Sequence, residues 1–462
     1  LGSTPAAASS DTSALGWKAI AVGDAHSLGV KTDGSVWAWG ENDGGELGFD
    51  SKALPKSLVP VKVEGLSQVA SVAAGENHSL ALKTDGTVWI WGSVPDGKVN
   101  SMEARILTVP TQVQIDDVVQ IAADWRLSYA LKRDGSVWPW GYMQHTLEDG
   151  SIQVATEPFY SIAGLEDIVD ISSGYGGFMA LREDGAVWTF SEALGTVQID
   201  GIRDIVDLAV GWEHTYGVKS DGSVWVWGKG GLGLDEVADP NAVRPRLLEG
   251  AESGFVEVEA TAAGPLLRKN DGTVWASGDN IAGQLGLYSY DKKEGLVQTK
   301  ARHAIDIAAS GIGYRSMAIR ADGTLWSWGY GYSGNGREAW AFGPVWVPSH
   351  PDEEPNDDEI FVRLNGKPLY FVKSPYFADQ RVLVPMRAIF EAIGAQVEWN
   401  EATGEITSRW QGSMVVLKQG QVTLRNGTSY VPLRLVAESL GAQVNWIGEE
   451  KTVEINIASD GN

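Results

Sequence analysis

Seven times along this chain an Asp-Gly pair separates two β-prone runs. The pairs begin at Asp33, Asp85, Asp134, Asp184, Asp221, Asp271 and Asp322, at intervals of 52, 49, 50, 37, 50 and 51 residues. Asp-Gly between such runs is a strong hairpin signal, and a two-residue type I′ turn is the expectation because glycine takes positive φ at little cost. In the first copy Ser27–Lys31 and Ser35–Trp39 form the two strands. A period of two puts Trp37 and Trp39 on one face and Val36 and Ala38 on the other, so both faces are apolar and the strand is buried on both sides. A Trp recurs three residues after each Gly, at Trp37, Trp89, Trp138, Trp188, Trp225, Trp275 and Trp326. The position two further on is looser, with Phe190 and Ser277 replacing Trp in the fourth and sixth copies. Self-similarity with a period near 50 residues implies a propeller or a solenoid.

Further motifs narrow the choice. Ala74-Gly75-Glu76-Asn77-His78-Ser79 precedes one hairpin. Gly40-Glu41-Asn42-Asp43-Gly44-Gly45-Glu46-Leu47-Gly48 and Gly278-Asp279-Asn280-Ile281-Ala282-Gly283-Gln284-Leu285-Gly286 follow two others. Together with Asp-Gly-x-x-Trp these resemble the unit of the regulator of chromosome condensation repeat family, from about Trp17 to Pro348. The resemblance implies a mainly β fold, a seven-bladed β-propeller over residues 17–348, in which radial closure leaves few exposed strand edges. Gly343–Pro348 is expected to complete the first blade and close the ring.

Residues 349–359 read as an acidic linker, charged and Pro-flanked. Residues 360–457 contain a duplication offset by 47 residues, Val384–Trp399 against Val431–Trp446. Each copy reads as a short helix, with Pro at its first turn and Gly at its end, followed by a strand. Arg387 and Glu391, like Arg434 and Glu438, are spaced to pair along one helix face. This segment resembles the copper amine oxidase N-terminal, or stalk, domain of secreted Gram-positive proteins, which implies a small α+β accessory domain without catalysis. No His follows His350, so a copper–imidazole site is excluded from it. Residues 1–16 read as a flexible or docking tail left by signal-peptide removal, and 458–462 as a C-terminal tail.

The net charge of −24 opposes phosphate backbones, so no nucleic-acid partner is expected. There is no Cys for a disulfide or thiol chemistry, and no apolar run long enough for membrane insertion. His26, His78 and His214 occupy one slot of the repeat, as structural hydrogen-bonding groups would. No nucleophile elbow, P-loop or His-Glu-x-x-His motif is present. The expectation is no enzyme activity, no cofactor and no metal.

The candidate ligand-binding positions are the non-repeated residues just before the His slot: Trp125, Arg126, Tyr175, Trp212, Glu213 and Tyr314. The family resemblance places this segment near the propeller axis, where aromatics and an Arg can hold a protein or glycan partner at one propeller face. Gly211–Thr215 is similar to a motif of the plant UV-B photoreceptor branch, but one such Trp does not make a photoreceptor. The overall expectation is a non-catalytic secreted or cell-surface binding or scaffold protein of a bacterium, with self-assembly into a homo-oligomer, filament or layer as a variant. The alternatives are an enzyme acting on a cell-wall or extracellular polymer, and an exchange-factor-like signalling adaptor. Against the latter, no exchange-factor insertion or basic chromatin-binding arm is found.

Overall fold

A computed structural model describes residues 16–348 apart from 97, 99–102, 147–151, 156–157, 159, 176, 192–194, 213, 229–243, 312 and 338–340. Within 361–456 it describes the strands and helix given below, with a few adjoining residues. The chain divides into two compact units, residues 1–319 with 323–353, and residues 354–462 with 320–322.

Each Asp-Gly pair turns a hairpin, but through a three-residue loop rather than the expected two-residue turn. Gly34 N–H donates to Lys31 O (2.8 Å) and Lys31 N–H to Ser35 O (3.0 Å), so Thr32, Asp33 and Gly34 form the loop. Only the glycine has positive φ, +80°. That is a type I turn followed by a left-handed glycine. A Cβ on Gly34 would lie 2.9 Å from the Gln68 backbone, so close approach of the next blade also demands glycine. Asp33 Oδ1 accepts from Ser35 N–H (2.9 Å), and Ser35 Oγ accepts from Trp37 Nε1 (3.0 Å). The Lys31 ammonium sits 3.7 Å from the Trp37 ring centroid. The same ladder recurs at Lys132, Asp134, Ser136 and Trp138, and at Lys269, Asp271, Thr273 and Trp275. The first Trp is therefore held half-buried at the rim, stacked under a cation.

Seven antiparallel four-stranded sheets result. Their first strands are Trp17–Val22, Val69–Ala74, Val118–Ala123, Ile168–Gly174, Ile205–Val210, Phe255–Thr261 and Ala304–Ala309. These pack on one another in succession, the seventh on the first, and so line the axis. Blades are numbered here in chain order. At six junctions the turn glycine's carbonyl accepts from the start of the next inner strand: Gly34 from Val69, Gly86 from Val118, Gly135 from Ile168, Gly222 from Phe255, Gly272 from Ala304, and Gly323 from Trp17. The core lies between blades. Trp91 of blade 2, for example, is fully buried with Leu28, Val36 and Leu47 of blade 1.

Ring closure departs from expectation. Ala341–Val347 pairs with Leu325–Gly329 and is the outer strand of blade 7, not a strand of blade 1. Every blade is thus continuous in sequence. The ring shuts through the Gly323–Trp17 hydrogen bond and a cluster of Trp17, Val22 and Trp39 with Ala308, Met317, Ile319, Leu325 and Val347.

The Gly-x-Asn loops plug the blade junctions. Asn42 Oδ1 accepts from Leu47 N–H (2.9 Å), and its Nδ2 donates to Leu54 O (2.6 Å). This drives Leu47 into the junction between blades 1 and 2, and Asn280 does the same for Leu285 between blades 6 and 7.

In the second unit the duplication appears as near-symmetry. Arg381–Pro385 pairs antiparallel with Thr428–Pro432, and Val384 faces Val431, its own equivalent in the other copy. Tyr376–Ala378 and Thr423–Arg425 flank this pair. A second sheet orders Lys367–Leu369, Phe361–Leu364, Thr452–Asn456 and Gln443–Ile447, and a third holds Gln396–Asn400, Glu405–Trp410 and Ser413–Leu417. The second copy's helix is Leu433–Ser439, directly after Pro432, with Leu433, Val436 and Ala437 buried. The first copy's helix and the Arg387–Glu391 pair lie outside the described residues, as does the side chain of Glu438.

Candidate functional site

The candidate residues sit in the tight turns joining each inner strand to the second. The turn is shaped by its own backbone: Asp124 N–H donates to Leu127 O (3.0 Å) and Gly211 N–H to His214 O (2.8 Å). Such turns project their central residues away from the blade. In blade 3, Asp124 is buried and its Oδ1 accepts from Leu127 N–H (3.0 Å) and Arg126 N–H (3.3 Å). Burial pushes its carboxyl up to about 7, against the pull of those two amides.

Three of the six candidates form one continuous arc across blades 3, 4 and 5. Tyr175 stacks on Trp212 with ring centroids 3.9 Å apart and planes 8° from parallel. Trp125 meets Tyr175 at 5.4 Å and 49°. Each contact of this kind stabilises by about 0.5–1.5 kcal/mol beyond area burial. All three rings stay exposed, at 42% (Trp125), 44% (Tyr175) and 41% (Trp212). Arg126 extends the arc: its guanidinium lies 4.9 Å from the Trp125 ring centroid and 5.3 Å from that of Tyr142. Arg126 Nε is also 3.6 Å from Glu76 Oε2, an ion pair that contributes little at this exposure. Tyr314 stands at the same slot of blade 7, and no ring contact joins it to the arc among the described residues. Glu213 lies outside the described residues.

The axis beside the arc is closed by glycine. A Cβ on Gly174 would be 2.1 Å from Val210 O, and one on Gly311 would be 2.6 Å from the same atom. Backbone from blades 4, 5 and 7 therefore meets there, leaving the aromatics to face outward.

The repeated histidines are interblade struts. His26 Nε2 lies 2.9 Å from Ser79 Oγ, and His78 Nε2 lies 2.9 Å from Ser128 Oγ. Burial holds His26 down to about 3 and His78 to about 4, so both are neutral. Blade 7 carries Arg315 in this slot. It is 1% exposed, and it donates to Ser27 Oγ (2.9 Å) and Tyr330 O (3.1 Å). Burial lowers it only to about 10, so it remains charged.

A group missed in the sequence lies on the inner strands of blades 4 to 7. Asp170, Asp207, Glu257, Glu259 and Asp306 face one another, with Arg268 bonded to Glu257. Burial and mutual repulsion raise Asp207 and Glu259 well above the carboxylate range and Asp306 to about 8. Asp207 accepts from Val258 N–H (2.6 Å) and Glu257 from Ile307 N–H (3.2 Å). They satisfy the edge amides of the next blade's inner strand, which no strand pairs. Strand alternation alone does not say which edge is unpaired. Among the described residues no group of three or more His, Asp or Glu is placed to hold a metal ion.

The sequence matches the regulator of chromosome condensation (RCC1) repeat over residues 33–82, and again over 17–46 and 205–233. Blades 1, 2 and 5 thus carry regulator of chromosome condensation repeats. Residues 363–425 and 419–455 match the copper amine oxidase N-terminal domain. The human regulator of chromosome condensation is 39% identical over 97 residues, 20% of this chain and 23% of that protein. Protein pim1 of Schizosaccharomyces pombe is 34% identical over 110 residues (21% and 20%), and the ultraviolet-B receptor UVR8 of Arabidopsis thaliana 36% over 98 (21% and 22%). The chain thus spans less than a quarter of the length of these relatives. Among solved structures, Prp20p of Saccharomyces cerevisiae superposes with a TM-score of 0.55 at 20% identity, covering 74% of this chain and 89% of that one. Human WBSCR16 gives 0.52 at 19%, covering 64% and 86%. These likenesses establish the fold.

Proposed function

We propose that this chain is a non-catalytic binding protein that seats a protein partner on the arc of Trp125, Tyr175, Trp212 and Arg126. The observation that carries this is three contacting aromatic rings left more than 40% exposed on one propeller face. Exposed aromatics beside an Arg are the residue types that dominate protein interfaces. Stacking covers one face each of Tyr175 and Trp212, and Arg126 lies over Trp125, so the arc offers fewer open ring faces to a sugar than three separate rings would, which favours a protein over a glycan. The copper amine oxidase N-terminal match is consistent with an extracellular setting, where the second unit serves as tether or spacer. No described helix is long and apolar enough to cross a membrane. Prp20p has binding properties to Gsp1p and histones, so a propeller of similar fold does serve as a binding platform in that protein.

The test is binding of labelled protein to the surface of the producing cells, before and after protease or glycosidase treatment. Trp125→Ala with Trp212→Ala is expected to abolish binding while the circular dichroism spectrum stays that of the folded chain and the melt falls only by the few kcal/mol of the lost ring contacts, and protease is expected to remove the receptor. Binding that survives both substitutions rejects the arc. Binding lost only after glycosidase points to a glycan instead. Self-assembly is a variant of the same reading, tested by sedimentation velocity at micromolar protein: a strictly monomeric species rejects it.

A further inference from the structure

The outer strand of a blade has a free edge, a row of N–H and C=O groups that another strand can join. Blades other than the second blunt that edge. In blade 7, Phe342 O accepts from Tyr288 N–H of the blade 6 loop (2.7 Å). In blade 1, Leu58 O accepts from Gly336 N–H of the blade 7 loop (2.9 Å). The outer strands of blades 3 and 4, Ile152–Ala155 and Gly195–Gln198, have four residues each, and that of blade 5, Arg246–Leu247, has two. The outer strand of blade 6 opens with Lys293, Glu294 and Gly295. Covering loops, short strands, charges and glycine all discourage a further strand from adding.

Blade 2 uses none of these devices before Pro110. Its outer strand, Ala104–Gln112, has nine residues, and Ile106 and Val109 on it are 50% and 63% exposed. Thr108 stands where Leu58 and Phe342 do, one residue past the partner of the third-strand glycine: Gly92 pairs with Leu107 as Gly40 does with Ser57 and Gly329 with Ala341. Among the described residues, the blade 1 loop gives no backbone N–H to Thr108 O.

The direction of each edge group follows from one bond. Asp96 N–H donates to Glu103 O (2.9 Å), so Glu103, Arg105 and Leu107 turn their main-chain groups toward the third strand of the blade. Ala104, Ile106 and Thr108 turn theirs outward. The segment is seated on its neighbour, since a Cβ on Gly45 of blade 1 would lie 2.8 Å from Ile106 Cγ2. The edge is therefore set in place before anything joins it.

We propose that this chain forms a two-fold dimer by antiparallel pairing of Ala104–Thr108 with the same segment of a second copy. Ile106 exchanges a pair of hydrogen bonds with its own copy, and Ala104 pairs with Thr108 on either side. The segment is self-complementary in this register: Arg105 stands opposite Leu107, so the guanidiniums do not face each other. A longer foreign strand would run into Pro110, which offers no N–H, whereas the symmetric register uses only residues that can bond. Charge favours the same meeting place. Two copies of a chain of net charge −24 repel over most of their surface, but Ala104–Gln112 carries one charge and it is positive. Isologous pairing covers both edges at once and closes the assembly at the dimer. The proposal rests on the self-assembly variant above, to which it gives a surface and a stoichiometry, and is independent of the aromatic arc.

The test is sedimentation velocity of the full chain over the micromolar range. The expected result is a monomer–dimer equilibrium that tightens as salt screens the repulsion. Ile106→Lys places a charge on the edge and is expected to weaken association about tenfold or more. Ala104→Pro removes one outward N–H and no bond within the blade, and is expected to act in the same direction; circular dichroism verifies that both variants are folded. Hydrogen exchange reads the edge itself: the Ile106 amide is expected to slow as wild-type concentration rises and to stay fast in Ala104→Pro. A strictly monomeric wild type overturns both the dimer and the self-assembly reading. A dimer that survives both substitutions overturns the strand pairing and leaves self-assembly to another surface. Species that grow beyond the dimer overturn the closed two-fold arrangement.

Discussion

Replacing Trp91 and Trp140 separately by Phe gives a controlled comparison. Both indoles are buried, at 0% and 1% exposure, and they stand at equivalent places in neighbouring blades. Each substitution removes the same ring volume, so the transfer and cavity costs largely cancel between them. The hydrogen bonds do not. Trp91→Phe deletes a bond to Glu46 O, worth about 1 kcal/mol net. Trp140→Phe deletes a donor without an acceptor and so recovers a desolvation penalty of about 1–3 kcal/mol. Trp91→Phe is therefore expected to be the more destabilising by about 2 kcal/mol or more. With a urea dependence of about 3 kcal/mol per molar, the unfolding midpoints differ by roughly 0.7 M. Urea titration followed by circular dichroism, with the wild-type chain alongside, measures this directly. Equal midpoints, or a lower one for Trp140→Phe, would refute the reading of the Trp140 indole as lacking an acceptor.

Other outcomes follow from the same geometry. The inner-strand carboxylates have raised folded pKa values, so the stability they confer is present at low pH and is lost as pH rises through about 8 for Asp306. Glu259→Gln is expected to raise the melting temperature at pH 9 and to flatten its fall between pH 6 and 9; an unchanged profile contradicts the cluster. His26 and His78 have depressed values, so their contribution is present above pH 6.5 and is lost as pH falls toward 4 and 3. His78→Gln is expected to shift the acid-unfolding midpoint downward, which an acid titration of circular dichroism checks. Gly174→Ala puts a methyl against Val210 O and is expected to cost about 1–3 kcal/mol, read as a lowered urea midpoint. Arg315→Met strands Ser27 and Tyr330 O at the ring-closing junction, with a loss of about 3 kcal/mol by the same measurement.

The repeat and its count were legible because each Asp-Gly turn combines two demands that only those residues meet. Asp33 caps the following amide, and Gly34 both turns left-handed and admits the next blade. The turn type was not legible, since a single left-handed glycine satisfies a two- or three-residue loop equally well from sequence. The closing strand was misplaced because the likeness of Gly343–Pro348 to an earlier outer strand is a local signal, whereas the choice of partner strand is decided across the whole ring. The aromatic arc was visible as residues that break the repeat, but its stacking of Tyr175 on Trp212 depends on blade-to-blade spacing. The carboxylates escaped notice because unpaired inner-strand amides exist only once the blades are assembled.

That Ala341–Val347 belongs to blade 7 alone has a mechanical meaning. Tension entering through Pro348 pulls on the outer strand of one blade, from its Val347 end, where Val347 faces Leu325. When the pull is across the strands, antiparallel pairs open one after another from this end, like a zipper, at low force. A strand shared between the first and last blades would instead transmit the pull into the ring. Peeling from this end draws Val347 out of the ring-closing cluster first and leaves Trp17, Trp39 and Leu325 to hold the junction. Force spectroscopy would register that as a small early step ahead of the main rupture.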